Sequence, residues 1–133
     1  MAMKKKRLLI VDDEKDFVDT LAERLEAKGY GIAKAYNGKE GLEKAHEYRP
    51  DLIILDIAMP EMNGYDVCRK LKIDDKFRAI PIIILSAKFE PNDIEFGEEM
   101  GADAYLTKPL ELDMLLEKVR GLLKAKKGGK HEK

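Results

Sequence analysis

The sequence predicts an α/β fold: a five-stranded parallel sheet with five helices distributed over both faces. Three observations point there. Short apolar runs rich in β-branched residues recur, most clearly at 8–11, 52–55 and 81–85. Each is continuous rather than alternating, the pattern of a strand buried on both faces. Between the runs lie segments whose apolar residues return at helical spacing, and such strand–helix alternation calls for parallel strands joined by helical crossovers.

The elements follow in order. Strand one, Leu8-Leu-Ile-Val11, closes in Asp12-Asp13-Glu14. Phe17, Val18, Leu21, Ala22 and Leu25 line one face of a helix that Gly29 stops. Gly31-Ile-Ala-Lys-Ala-Tyr36 is strand two. Asn37-Gly38 breaks it, and Leu42 and Ala45 mark a second helix ending before Pro50. Strand three, Leu52-Ile-Ile-Leu55, ends in Asp56 and is bounded beyond by Pro60 and Asn63-Gly64. Val67, Cys68 and Leu71 give a third helix entered from Gly64. Strand four, Pro81-Ile-Ile-Ile-Leu85, ends at Ser86. Pro91 suits the first turn of a fourth helix running to Met100, with Gly101 as its C-cap. Strand five, Ala104-Tyr-Leu-Thr107, ends at Lys108-Pro109, and Leu112, Leu115, Leu116, Val119, Leu122 and Leu123 form the apolar stripe of the fifth helix. Residues 1–5 make a basic N-terminal segment, 6–124 one domain, and 125–133 a flexible basic tail. No second domain is expected.

Composition narrows the function. At 133 residues the chain is one domain with room for a real core. Lys+Arg 25 against Asp+Glu 26 leaves a net charge of −1, so direct nucleic-acid binding is not expected. The single cysteine, Cys68, excludes an internal disulfide and suits a reducing compartment. No apolar run approaches the roughly 20 residues of a membrane span, and the run after the basic start is too short for a secretory signal. No membrane insertion is expected, and the cytoplasm is the simplest location.

If the strands are parallel, their carboxyl ends share one edge, where open α/β sheets bind ligands. That edge would collect Asp12, Asp13, Asp56, Ser86 and Lys108. Carboxylates so close repel, and one must take up a proton unless a cation is present. A hard divalent ion relieves this, and Mg²⁺ takes one or two carboxylates with water and phosphate oxygens. With Lys108 added, the cluster can accept a phosphoryl group, whose transfer needs mainly positioning and charge neutralisation. A carboxylate is itself a nucleophile for making an aspartyl-phosphate, and Ser86 offers a hydroxyl to a phosphoryl oxygen.

The same residues carry a resemblance. Val11-Asp12-Asp13-Glu14, Leu55-Asp56-Ile-Ala-Met-Pro60 with Asn63-Gly64, Ile84-Leu-Ser86-Ala87, Gly101-Ala-Asp103 and Tyr105-Leu-Thr-Lys108-Pro109 stand in order over about residues 6–124. Together they closely resemble the receiver domain of two-component response regulators, of the chemotaxis-regulator type. The resemblance implies a flavodoxin-like (βα)5 fold with strand order 2-1-3-4-5. It implies that Asp56 is the phosphoacceptor. Asp13, Asp56 and the backbone carbonyl of Ala58 would coordinate Mg²⁺ (or Mn²⁺), with Asp12 assisting directly or through water. Lys108 would pair with the acceptor and then with its phosphoryl group. Ser86 stands at the switch-hydroxyl position and Tyr105 at the switch-aromatic position, expected to turn inward once Ser86 is drawn to the phosphoryl group. Lys108-Pro109 is a cis candidate. The donor would be a histidine kinase or a histidine phosphotransfer protein, and the chain would catalyse only its own phosphotransfer and autodephosphorylation. Ala58 and Lys88 flank the acceptor edge and are expected to tune the phosphate lifetime.

Each residue alone has a plainer reading. An acidic pair is usually a helix N-cap with a solvated neighbour, Lys108 a surface lysine, Ser86 a strand-end cap and Tyr105 a half-buried strand residue. Met59 and Met62 read as loop packing, Cys68 as core, and His46 and His131 have no metal-ligand spacing. The joint placement at strand ends outweighs these readings. A haloacid-dehalogenase-like phosphatase also forms an aspartyl-phosphate. That family resembles Asp-x-Asp-x-Thr after its first strand, where this chain has Asp12-Asp13-Glu14-Lys15-Asp16. A flavodoxin-like cofactor binder would want a Gly-, Ser- or Thr-rich phosphate loop there. A non-phosphorylated interaction module on this fold would be expected to have lost a key residue. For output, the fourth helix has no Lys or Arg and Ala104 replaces an acidic residue, against the charged dimer of winged-helix transcription factors. Phe89, Ile94, Phe96 and Met114 are candidates for an apolar patch that docks an unknown downstream effector protein.

Overall fold

The apolar runs become the strands of one sheet. A computed structural model describes residues 5–87, 95 and 98–128. Strands β1 (Arg7–Val11), β2 (Gly31–Ala35), β3 (Leu52–Asp56), β4 (Ile82–Ser86) and β5 (Ala104–Thr107) are all parallel, in the order β2-β1-β3-β4-β5. Helices α1 (Lys15–Ala27), α2 (Gly38–Tyr48), α3 (Gly64–Lys72) and a C-terminal helix (Leu112–Gly128) cover its faces. Side chains alternate across the strands. Leu8, Ile10, Leu52, Ile54, Ile83 and Leu85 therefore pack on one face against Val18, Leu21 and Leu25 of α1 and Leu115, Leu116 and Val119 of the C-terminal helix. Leu9, Val11, Ile53, Leu55, Ile82 and Ile84 pack on the other against Ala45 of α2 and Val67, Cys68 and Leu71 of α3.

Local chemistry starts the helices on the second face. The Asn37 side chain accepts from the Glu40 N–H at 2.8 Å, while the Glu40 carboxylate accepts from the Tyr36 N–H at 2.8 Å. Asn63 accepts from the Asp66 N–H at 3.0 Å and starts α3.

Several element bounds differ from the sequence expectations, and one expected helix is only partly described. The fourth helix falls largely outside the described residues; 95 and 98–100 are helical, and Gly101 follows at φ +98°. The C-terminal helix continues to Gly128, into the segment expected as a tail, since Lys and Ala are good helix formers and lysines near a helix C-terminus oppose its dipole favourably. Strand four starts one residue late, at Ile82, because Pro81 has no N–H for the ladder.

Beyond α3, residues 73–80 turn without regular structure and bury Phe77, 1% exposed. Lys72 organises this turn. Its ammonium donates to the carbonyls of Arg78 (3.1 Å) and Ile80 (2.8 Å) and to Asp103 Oδ2 (3.2 Å), which also accepts from the Ile82 N–H at 2.8 Å. Cys68 is core as expected, and Met59, expected as loop packing, is buried in the same core cluster. His46 packs its ring on Phe77 with centroids 4.5 Å apart. Among the described residues no helix is long and apolar enough to cross a membrane.

Candidate functional site

Topology builds the site. The chain runs from β1 to β2 on one side, then returns to place β3 on the other, with Val11 in register with Leu55. The residues that follow, Asp12 and Asp56, are thereby neighbours at the carboxyl edge. The Asp12 N–H still donates to the Ala35 carbonyl (3.1 Å), and its Oδ1 accepts from the Glu14 N–H (2.9 Å). Asp12 is thus neither a helix cap nor solvated: the cap residue of α1 is Glu14, and Asp12 is completely buried. Asp13 is exposed. Asp12, Asp13 and Asp56 each offer a carboxylate oxygen, and these oxygens all lie within 4.8 Å of one another.

The turn after β3 presses close on the acidic edge. The Ile57 N–H donates to the Leu85 carbonyl (3.1 Å), and the Gly64 N–H returns to the Ile57 carbonyl (2.9 Å). A Cβ at position 64 would collide with the Asp56 carbonyl oxygen and lie 2.9 Å from Ile57 Cα, so only glycine starts α3 here. Ala58 is exposed in this turn, two residues past Asp56.

Lys108 arrives from the far side. The Ser86–Thr107 register carries on in a bond from the Lys108 N–H to the Ser86 carbonyl (2.8 Å), and the Lys108-Pro109 peptide is cis as expected. Its ammonium donates to Asp12 Oδ2 at 2.7 Å and Glu14 Oε1 at 2.6 Å, and stands 3.5 Å from Asp56 Oδ1. Ser86 is half-buried at the end of β4, beside Leu85, the register partner of Asp56. Tyr105 lies on β5 opposite Ile84, already half-buried against the α3-side cluster. Burial pushes its hydroxyl up to about 12.

Crowding shows in the ionisation. Burial first, then the Asp12 charge, push the Asp56 carboxyl from its ordinary 3.8 up to about 6, against the pull of Lys108. Burial also raises Asp12, opposed by its bonds from Lys108 and the Glu14 N–H. For Lys108, burial acts downward, but its bonds to Asp12 and Glu14 outweigh this and hold the ammonium well above the usual lysine range. Three crowded hard oxygens, one proton-hungry at neutral pH, suit a hard divalent cation, whose charge would relieve the repulsion.

The edge therefore unites Asp12, Asp13, Asp56 and Lys108, with Ser86 adjoining. Two further neighbours are absent from the sequence expectations. Glu14 bonds Lys108 directly, and the Phe17 ring centroid lies 4.5 Å from the same ammonium. Glu14 has one signal in the sequence, its place straight after the acidic pair; Phe17 has none, because a helix stripe does not say which member reaches the edge. Lys88, His131, Phe89, Ile94 and Phe96 lie outside the described residues.

Comparisons with known proteins agree with this geometry. The family model of the response regulator receiver domain matches residues 8–120. The chain is 40% identical over 119 residues to the alkaline phosphatase synthesis transcriptional regulatory protein PhoP of Bacillus subtilis, covering 90% of this chain and 49% of that protein. It is 38% identical over 117 residues to protein PilH of Pseudomonas aeruginosa, covering 88% of this chain and 97% of that one. The chain thus spans about half the length of relatives such as PhoP and nearly all of PilH. A CheY-like response regulator receiver domain protein from Methanospirillum hungatei superposes with a TM-score of 0.87 at 31% identity, over 93% of this chain and 98% of that one. The signal receiver domain of a signal transduction histidine kinase from Syntrophus aciditrophicus gives 0.85 at 38% identity, over 96% and 97%. A haloacid-dehalogenase-like phosphatase, a flavodoxin-like cofactor binder and a non-phosphorylated interaction module find no support in these matches. With strand order, acidic edge and sequence all pointing the same way, the chain belongs to the response regulator receiver domain family, a family of two-component signalling modules and not of catalytic enzymes.

Proposed function

We propose that Asp56 is a phosphoacceptor that takes a phosphoryl group from the phosphohistidine of a histidine kinase or histidine phosphotransfer protein. The observation that carries this is convergence: Asp56 shares its edge with Asp12 and Asp13, oxygens within 4.8 Å, and faces the Lys108 ammonium at 3.5 Å. In the reaction a carboxylate oxygen of Asp56 attacks phosphorus, a P–O bond forms, and the P–N bond to the donor imidazole breaks. Attack needs the ionised carboxylate. In the metal-free protein a pKa of about 6 already leaves most of the population ionised at neutral pH.

Asp12, Asp13, Asp56 and the Ala58 carbonyl would hold Mg²⁺ (or Mn²⁺), which supplies charge neutralisation for the phosphoryl oxygens when bound. Lys108 neutralises a further oxygen. The Ser86 hydroxyl donates to the phosphoryl group and Tyr105 repacks behind it. Phosphorylation then shifts the population toward the arrangement in which these contacts are made. The domain's own chemistry is limited to phosphotransfer and hydrolysis of its acyl phosphate. Output passes to a downstream protein, and the work is done in the cytoplasm. Of the four apolar residues expected in a docking patch, Met114 is exposed at 53% and supports it; the other three lie outside the described residues.

The test is direct. Incubated with acetyl phosphate and Mg²⁺, the protein should gain a phosphoryl group by intact mass, and Asp56→Asn should gain none. Label retained on another residue of the variant would refute the assignment.

A further inference from the structure

Lys108 sits closer to Asp12 and Glu14 than to Asp56. Its ammonium makes short contacts to Glu14 Oε1 (2.6 Å) and Asp12 Oδ2 (2.7 Å), while Asp56 Oδ1 stands 3.5 Å off, longer than a good charge-assisted hydrogen bond. Phe17 covers the ammonium as well, its ring centroid 4.5 Å away. The two short contacts differ in kind. Asp12 belongs to the acidic cluster, is fully buried, and has its other oxygen held by the Glu14 N–H. The Glu14 side chain is 64% exposed, contributes no oxygen to that cluster, and makes no capping bond to α1. Its one hydrogen bond among the described residues is to Lys108.

We infer that Glu14 is a positioning residue that restrains Lys108 in the unphosphorylated protein and thereby slows phosphorylation. The inference rests on Asp56 being the phosphoacceptor. When a phosphoryl group arrives at Asp56, its anionic oxygens draw the ammonium toward them, and the short contact to Glu14 is stretched and given up. The Glu14–Lys108 pair is then made in the ground state and lost in the transition state, so it raises the barrier to phosphorylation. Hydrolysis of the acyl phosphate starts from a state in which that contact has already been given up, and Glu14 leaves that barrier unchanged. A purely structural residue would not separate the two rates. Because Glu14 is largely solvated the effect is modest: removing its charge raises the phosphorylation rate constant about two- to five-fold.

The experiment compares wild type, Glu14→Gln, Asp16→Asn and Asp56→Asn, with acetyl phosphate as donor and Mg²⁺ at saturation. Phosphorylation is followed by intact mass, and decay is followed after the donor is removed. Asp16 is exposed in the first turn of α1, so its variant controls for general loss of negative charge near an anionic donor. The Lys108 ammonium resonance of ¹⁵N-labelled protein without Mg²⁺ reports the position of Lys108 independently of any turnover. Glu14→Gln should phosphorylate two- to five-fold faster, decay at the wild-type rate, and shift the Lys108 resonance; Asp16→Asn should do none of these. Slower or unchanged phosphorylation, equal acceleration of decay, an equal effect of Asp16→Asn, or a stationary Lys108 resonance would overturn the role of Glu14 while Asp56-dependent labelling stands. Labelling that survives Asp56→Asn, or is absent from wild type, would instead overturn the phosphoacceptor reading and this inference with it.

Discussion

Replacing Asp56 with asparagine should stabilise the metal-free protein at neutral pH, although it removes the group around which the site is arranged. Asp56 is 5% exposed, its charge faces those of Asp12 and Asp13, and Lys108 at 3.5 Å offsets this only in part. Its carboxyl is raised from 3.8 to about 6, so between those values the folded state binds more protons than the unfolded chain. Stability therefore falls as pH rises through that window, and the loss is complete above it. About two units at about 1.4 kcal/mol each give a penalty of about 3 kcal/mol at pH 7.5, or roughly 10 °C in the unfolding midpoint of a domain this size. Asparagine keeps the shape and carries no charge. Urea unfolding of both proteins in EDTA, followed by circular dichroism, should show curves that nearly coincide near pH 4 and diverge toward pH 7.5, with the variant the more stable. Mg²⁺ at about ten times its Kd should restore about 1.4 kcal/mol to wild type and less to the variant. A variant no more stable at pH 7.5, or a gap that does not change with pH, would refute the reasoning.

Two further substitutions probe the frame. Gly64→Ala drives a methyl group into the Asp56 carbonyl and should cost at least about 2 kcal/mol by urea unfolding, with loss of acetyl-phosphate labelling because the acceptor backbone must shift. Lys72→Met abandons two backbone carbonyls and Asp103 and should cost about 2 kcal/mol by the same measurement. Its labelling rate should stay at the wild-type level, because the C-terminal end of α3 lies at the edge of the sheet opposite Asp56.

The strands are readable because a parallel strand covered on both sides leaves a continuous apolar run, and β3 buries all five of its residues. Where pairing rather than burial defines an end, the sequence misleads: Arg7 belongs to β1 because it pairs with Gly31, a fact its exposed side chain does not record. Asp12, Asp13, Asp56 and Lys108 are legible because each ends a strand, so topology alone brings them together. Glu14 is legible only as the residue after the acidic pair, because its contact to Lys108 is a matter of side-chain distance on the solvent side of the edge. Lys72 cannot be told from Arg69 and Lys70, its companions in the last turn of α3, since the sequence does not say which of three cations turns inward. Phe77 sits in a stretch with no period at all, and its neighbours His46 and Arg49 come from elsewhere in the chain.

Among the described residues the sheet splits the apolar interior into two clusters with no side chain in common. One layer can therefore drift, be remodelled for a new neighbour, or be redesigned while the other keeps its original fit. At the acidic rim that freedom ends, because Glu14 and Phe17 come from the α1 side while Gly64 closes in from the other, and a change to either cladding is felt by the same few oxygens. Sequence divergence among such chains should accordingly run at different rates on the two faces and stall where they meet.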